Sequence, residues 1–468
     1  MRYLLFLIPA LLAAQTYDIV LQGGRVMDPE SGLDAVRSVG IAGDKIVAIS
    51  TDVLRGKVEV DANGLVIAPG FIDPHAHGQT SENYRYKAMD GVTTALELEV
   101  GVSPVSEWYT ARAGKALVNF GASAGHIPAR MAVMKDTGEY LPRDSAMNRG
   151  ATPEEQRAIL AGVQKGLDEG ALGMGLGLAY VPTATHEEVL ALFYAAAKWK
   201  RPVFVHMRDA GTAAPGIFES LQEVITDAAA AGTPLHIVHI TSMAQGKTPQ
   251  ALRVIEGARA RGLDVTTEAY PYVAGQSSLE SALFDPGWQA KQGASYSDLL
   301  WVATGERLNK ESFERYRKQG GRVVIFQNTE ETVRTALAHP LVMIGSDGRM
   351  VDGKGHPRGA GTYARVLGKY VREDKALSLM DAIRKCSLMP AQRLEAVTPQ
   401  MRQKGRLKVG ADADISVFDP NRVLDKATFE NPGQYSEGFR YVIVNGTFVV
   451  REGRLQEGVS PGQGIRAQ

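Results

Sequence analysis

Short apolar runs recur through the middle of the chain, each closed by polar residues and separated from the next by helical periodicity. They read TTALELE from 93, ALGMGLGL from 171, PVFVH from 202, LHIVH from 235, DVTTEAY from 264 and LVMIGSD from 341. The run into Phe71 and Ile72, and a weaker one at GASAGH from 121, bring the count to eight. Between them, PEEQRAILAGVQKGLDEG and HEEVLALFYAAAKWK carry apolar residues at helical spacing, Glu in the first turn and Lys toward the end. Eight strand and helix alternations predict an α/β fold, a TIM-like (β/α)8 barrel over residues 69–402, ahead of a doubly wound open sheet. A stretch at about 280–338 breaks the rhythm and contains its own short strand, RVVIF, so an insertion over the barrel mouth is expected there.

Toward both ends the texture changes. YDIVLQGGRVMD, SVGIAGDKIVAIS and VEVDANGLVIAPG near the start, and ADADISVFDP and FRYVIVNGTFVVREG near the end, are short strands broken by Gly-Gly, Gly-Asp and Asn-Gly turns. Residues 16–68 and 403–468 are therefore expected to build one small β-sandwich domain. At the very start, Arg2 precedes the apolar LLFLIPALLAA. Such a run is too short for a membrane span, which takes ~18 apolar residues or more, and fits a signal peptide over residues 1–15 with cleavage near Ala14, although Leu12 stands where a small residue is usual. The alternative is a retained apolar segment. No later stretch reaches membrane-span length, so export to the periplasm or medium, with no membrane span in the mature chain, is the expectation.

Composition narrows the chemistry. With 52 Lys+Arg against 52 Asp+Glu the formal net charge is +0, which leaves no basic field for a nucleic-acid partner. A single cysteine, Cys386, excludes an intramolecular disulfide and any multi-cysteine metal or iron–sulfur site. A metal would have to be held by His and carboxylates. GMGLGL lacks a following Lys-Ser/Thr, so no nucleotide loop is indicated and the expected partner is a small molecule.

In a barrel of this kind chemistry sits at the C-terminal ends of the strands. The first run ends in Asp73-Pro74-His75-Ala76-His77, the second in Glu97 and Glu99, the fifth in His206, the sixth in His239 and the eighth in Asp347. Residues two apart on an extended strand share a face, so His75 and His77 can both reach one ion. Four histidines and an aspartate at strand ends mark a candidate divalent-metal site of the kind zinc occupies.

These residues carry a resemblance. APGFIDPHAH, GVTTALELE, the single histidines at two consecutive strand ends and GSDG resemble the amidohydrolase superfamily. GSDG through HPRGAGTYARVLGKYVRE, LSLMDAIRK, ADADISVFDP, ATFENPGQY and YVIVNG resemble, more narrowly, the N-acyl-D-amino-acid deacylases. The resemblance implies His75 and His77 in a looser metal site, His206 and His239 in a tighter one, and Asp347 as ligand and general base. It implies Arg358 as the clamp on a substrate carboxylate, Tyr180 and Tyr272 as pocket residues, and His126 in a pocket or supporting role. Zinc, as one or two ions, is the implied cofactor, and an N-acyl amino acid the implied substrate.

Two departures from the family stand out. Its cysteine ligand after GVTT aligns with Val100, which leaves Glu99, nearer the strand end, as the expected replacement and Glu97 as the reserve. The lysine that commonly follows the sixth-strand histidine by two residues is Thr241 here. ALGMGLGL contains no lysine to bridge two ions as a carbamate. His236 is expected to be structural, and His186, His339 and His356 to lie at a helix start, a turn and a loop. The implied reaction is amide hydrolysis by metal-activated water, with Asp347 moving the proton. Another amide (a dipeptide, cyclic amide or N-acyl amine), a non-catalytic barrel and a two-lobed solute-binding protein are the alternatives, and no pattern in the sequence sets an oligomeric state.

Overall fold

Eight parallel strands carry the site in the computed structural model, which describes residues 17–211 and 213–468. They are β1 (Phe71–Asp73), β2 (Val92–Val102), β3 (Asn119–Gly125), β4 (Met174–Gly177), β5 (Val203–His206), β6 (Leu235–Ile237), β7 (Val265–Ala269) and β8 (Val342–Ile344). Each pairs in parallel with the next in chain order. The barrel closes just beyond the ends of β8 and β1: Asp347 N–H donates to the His75 carbonyl (2.7 Å) and His77 N–H to the Gly348 carbonyl (3.1 Å). The closing seam thus runs through the residues singled out for chemistry.

The strands are buried on both faces, which explains their nearly continuous apolar runs. Val203, Val205, Ile237, Val265 and Ile344 pack outward against the helices, while Ile72, Leu96, Phe204 and Val238 form a separate buried cluster with Leu394, Val397 and Ile465. The two helices read from periodicity form as Pro153–Asp168 and His186–Lys198. Thr152 and Thr185 cap them, each hydroxyl accepting from the glutamate N–H three residues on (3.2 and 3.1 Å).

A nine-stranded sheet joins both ends of the chain: Val66–Pro69 pairs antiparallel with Ile415–Phe418. Ile19, Leu21, Val39, Ile67, Ile415 and Ile443 form its core. The final residues leave this sheet. Ile465 N–H donates to the Phe120 carbonyl (2.8 Å) and Ala467 N–H to that of Gly170 (3.0 Å), so the tail belongs to the base of the barrel. The insertion also differs from expectation. Its sheet begins earlier, at Ala274–Ser278, and ends with Arg322–Phe326. Glu330–Ala338 is a barrel helix that buries Val333, Ala336 and Leu337 in the main core. The expected leader, residues 1–15, lies outside the described residues. Among the described residues no helix is long and apolar enough to cross a membrane.

Candidate metal centre

Asp73, at the end of β1, is fully buried and ties the two sides of the seam. Its carboxylate accepts from the His75 N–H (3.1 Å), the Ser346 N–H (3.0 Å) and the Ser346 hydroxyl (2.6 Å), and pairs with Lys87 Nζ at 2.7 Å. The segment from Pro74 to His77 is thereby fixed against the loop that carries Asp347. His75 donates from Nδ1 to the Glu268 carboxylate, and His77 donates from Nδ1 to Glu97 at 3.0 Å. Both imidazoles are left with Nε2 turned inward, 3.0 Å apart. A carboxylate behind each imidazole is the arrangement that orients metal-ligating histidines.

Alternation alone puts Glu97 and Glu99 on the same side of β2, but the strand is irregular there. Between Glu97 and Val102 its register against β3 shifts, with five residues on β2 spanning two on β3. This bulge re-aims the intervening side chains. Gly175 on β4 makes room for it, because a Cβ there would lie 2.4 Å from the Glu99 carbonyl oxygen. Glu99 turns toward four histidines: Oε2 lies 2.9 Å from His75 Nε2 and 2.8 Å from His77 Nε2, and Oε1 lies 2.6 Å from His206 Nδ1 and 3.4 Å from His239 Nε2. Glu97 stays on the far side of His77.

The donors therefore form two sets sharing one carboxylate. His75, His77, Glu99 and Asp347 converge in one and Glu99, His206 and His239 in the other, the ligand atoms of each set lying within 4.8 Å of one another. The fit to a divalent ion rests on the inward lone pairs. Two imidazoles already committed at Nδ1 hold Nε2 against Nε2 only with a cation or proton between them. In the second set His206 Nδ1 and His239 Nε2 lie 3.1 Å apart, and His239 Nδ1 is buried without a partner. His239 and Asp347 both have positive φ (29° and 52°), strain of the sort that accumulates where a loop must present a functional group.

Asp347 sits between the first set and a buried arginine. Its Oδ1 is 3.2 Å from His77 Nε2 and its Oδ2 is 2.9 Å from Arg358 Nη2. Arg358 opens the helix Arg358–Arg365, which kinks at Gly361; beyond the kink, Asp90 accepts from the N–H groups of Tyr363 (2.8 Å) and Ala364 (2.9 Å). The Arg358 guanidinium lies over the Tyr270 ring (4.4 Å), and its Nε and Nη1 have no hydrogen-bond partner. His356 donates from Nε2 to the Ala274 carbonyl (2.9 Å) and accepts the Arg358 N–H at Nδ1 (3.0 Å), so this loop histidine positions the arginine.

Tyr180 lines the cavity above the donors, its ring 4.8 Å from that of His206. Burial, then the Glu99 charge, pushes its phenol well up, so the hydroxyl stays protonated. Two expected residues lie elsewhere. Tyr272 packs edge-on to His356 (5.2 Å) and off the cavity wall, where Tyr270 stands instead. His126 joins a buried ion cluster, with Nε2 2.8 Å from Glu188, itself 2.6 Å from Arg130; packing has taken it out of the pocket. The Thr241 hydroxyl is buried without a partner. Glu268 was not singled out by sequence, although it sits two residues before Tyr270 on β7; it supports His75 and, at 3.2 Å, accepts from His236, whose Nδ1 meets the Thr266 hydroxyl (2.8 Å). Gly345 leaves the space Glu268 needs, since a Cβ there would lie 2.7 Å from its carboxylate.

Burial alone would strip the proton from His75, yet Glu268, Asp347 and Glu99 outweigh it and raise its pKa to about 10; His77 is likewise held well above the usual imidazole range, chiefly by Glu97 against its burial. Protons and a divalent ion therefore compete for the same Nε2 atoms. Falling pH strengthens the proton, so metal affinity is expected to rise from pH 6 to pH 9 and loading to release protons. Calorimetric loading in buffers of different ionisation enthalpy measures both; a pH-independent affinity with no proton release would contradict this picture.

The amidohydrolase family pattern matches residues 58–277 and 219–450. A D-aminoacylase of Alcaligenes xylosoxydans xylosoxydans is 31% identical, over 94% of this chain and 96% of its own. An N-acyl-D-glutamate deacylase of the same organism is 30% identical, over 92% and 93%. Among solved structures, N-acyl-D-glutamate deacylase from Bordetella bronchiseptica, complexed with zinc and a phosphonate mimic of the tetrahedral intermediate, superposes with a TM-score of 0.83 at 26% identity, covering 97% of this chain and 100% of that one.

Proposed function

The chain belongs to the amidohydrolase family, in the branch that holds the D-aminoacylases, and on that premise we propose that it hydrolyses the amide bond of N-acyl-D-amino acids with zinc as the metal. One observation carries the choice of substrate class. Arg358 is buried, bound to Asp347 through one nitrogen only, and keeps two unpartnered donor nitrogens, Nε and Nη1, beside the donor sets. A planar guanidinium with two free donors suits a carboxylate.

A divalent ion held by His75, His77, Glu99, His206, His239 and Asp347, as one or two equivalents, supplies an acidified water and a Lewis-acid contact for the acyl carbonyl. The chain's own groups do the rest. Asp347 is ionised at neutral pH, because the positive charge around it, the Arg358 guanidinium foremost, outweighs the burial that would raise it, and so it can accept the attacking water's proton and pass it to the departing amine. A substrate carboxylate on Arg358 offsets the positive charge that depresses Asp347, which makes the base stronger when substrate is present. The protonated Tyr180 hydroxyl is available to donate to the tetrahedral oxyanion.

The test is release of free amine from paired N-acetyl-D- and N-acetyl-L-amino acids by metal-loaded protein. D-selective release is expected; metal without release from either enantiomer would move the substrate to another amide, the reading that Thr241 favours. Arg358→Lys keeps the charge but loses the fork. It is expected to lower kcat/KM for the N-acyl amino acid by ~10²-fold relative to the matching C-terminal carboxamide, and equal losses on both would remove Arg358 from the carboxylate. The apolar N-terminal run supports export, which N-terminal sequencing of the secreted or periplasmic form checks.

A further inference from the structure

The cavity above the metal donors has two lobes of different character that share Tyr180, Gln276, Ser277, Asp347 and Arg358. One runs under the insertion, against Met243, Leu283, Trp288 and Ile325. The other, about 500 Å³, opens from His77 and Glu99 and is walled by Tyr140, Arg322 and Arg349. Neither arginine pairs with a carboxylate among the described residues. Arg349 lies over the Tyr140 ring (4.5 Å), and Arg322 reaches only the carbonyls of Arg349 (3.4 Å) and Lys354 (3.3 Å).

The acids nearby are committed or at the rim. Glu280 accepts from the Gly321 N–H (2.9 Å), Glu82 from Asp352 and Gly353 (3.1 and 2.7 Å), and Glu139 is exposed. Two guanidinium groups that line the same partly desolvated wall repel, a cost that an anion between them would remove. Burial, and then Arg349, disfavours the charge on Arg322 by more than Glu82 and the exposed Asp352 support it. The wall is also tied to the metal centre, because the Tyr140 hydroxyl donates to Glu97 (3.3 Å), the carboxylate that orients His77.

We propose that this lobe binds a second anionic group of the substrate, so that the preferred substrate is a dianionic N-acyl amino acid with one carboxylate on Arg358 and the other between Arg322 and Arg349. The inference rests on the deacylase reading for the first carboxylate. The second can come from the amino-acid side chain or from the acyl group, and the guanidinium pair would recognise either.

Uncleavable sulfonamide analogues separate these cases by calorimetry on the metal-loaded enzyme. N-methylsulfonyl-D-glutamate carries the second charge on the side chain, N-(2-carboxyethylsulfonyl)-D-alanine carries it on the acyl side, and N-methylsulfonyl-D-glutamine is the monoanionic reference. One dianion is expected to bind roughly 30-fold more tightly than the reference, and that ratio to fall below about threefold when Arg322→Gln and Arg349→Gln are combined. Equal binding of all three, or an undiminished ratio in the double variant, would overturn the proposal. The comparison of analogues on the unsubstituted enzyme stands without the variant. A charge preference without amide hydrolysis would keep the subsite and remove the deacylase reading; hydrolysis without a charge preference would do the reverse.

Discussion

Asp347→Asn is expected to lower kcat by about 10² to 10⁴-fold, the usual contribution of a positioned general base, while leaving the barrel folded and metal still bound. The backbone argues for a clean experiment. Asp347 has φ of 52°, a left-handed conformation that asparagine adopts with little penalty, so the substitution need not disturb the loop. The carboxamide oxygen can still accept from Arg358 Nη2, now 2.9 Å from Oδ2, with the amide nitrogen in the place of the Oδ1 that faces His77. What it cannot do is take a proton from water and return it to the leaving amine. Turnover, metal content and thermal melting measured on one preparation decide the matter: full activity would remove Asp347 from the role of base, whereas loss of metal and of structure together would mean that its charge is needed for assembly.

The second large effect concerns the shared carboxylate. Glu99→Ala is expected to lose most of the bound metal and, with it, activity by more than ~10³-fold, because the substitution removes the one group that faces both donor sets and leaves four imidazoles without their common counter-charge. Glu97→Gln should behave differently. Its carboxylate touches His77 at Nδ1, away from the donors, so a loss of about 10 to 100-fold in metal affinity or activity is expected, as for other groups that orient a ligating histidine. Metal stoichiometry after identical dialysis compares the two variants directly. If Glu97→Gln were stripped of metal while Glu99→Ala kept it, the roles given to the two acids would have to be exchanged.

The sequence was informative where the controlling physics is local. Short apolar strand runs closed by polar residues, helices opened by Thr152 and Thr185, and turns built on Gly and Asn depend on a few neighbouring residues, and from them the eight strands, the helices between them and the paired end segments could be read. Strand ends are equally local, so His75, His77, His206, His239 and Asp347 could be grouped from their positions in the chain alone. The resemblance to a family supplied what locality could not, a role for Arg358, which no periodicity singles out at the start of its helix.

Tertiary structure decided what depends on contacts between distant segments. Alternation put Glu97 and Glu99 in one phase, and only the bulge on β2, accommodated by Gly175 on β4, turned Glu99 to the centre and left Glu97 behind His77. Glu268 reaches His75 across 193 positions of sequence, and no periodic pattern encodes that meeting. Tyr270, the first residue beyond β7, faces the cavity while Tyr272, two residues on, packs against His356, and His126 is drawn away by Glu188. The same applies to Arg322 and Arg349, which share one wall only because the insertion folds back over the loop after β8. Side-chain type and spacing set which groups were available at the strand ends; the direction each one points was set by bulges, seams and buried charge partners that form only when the barrel closes.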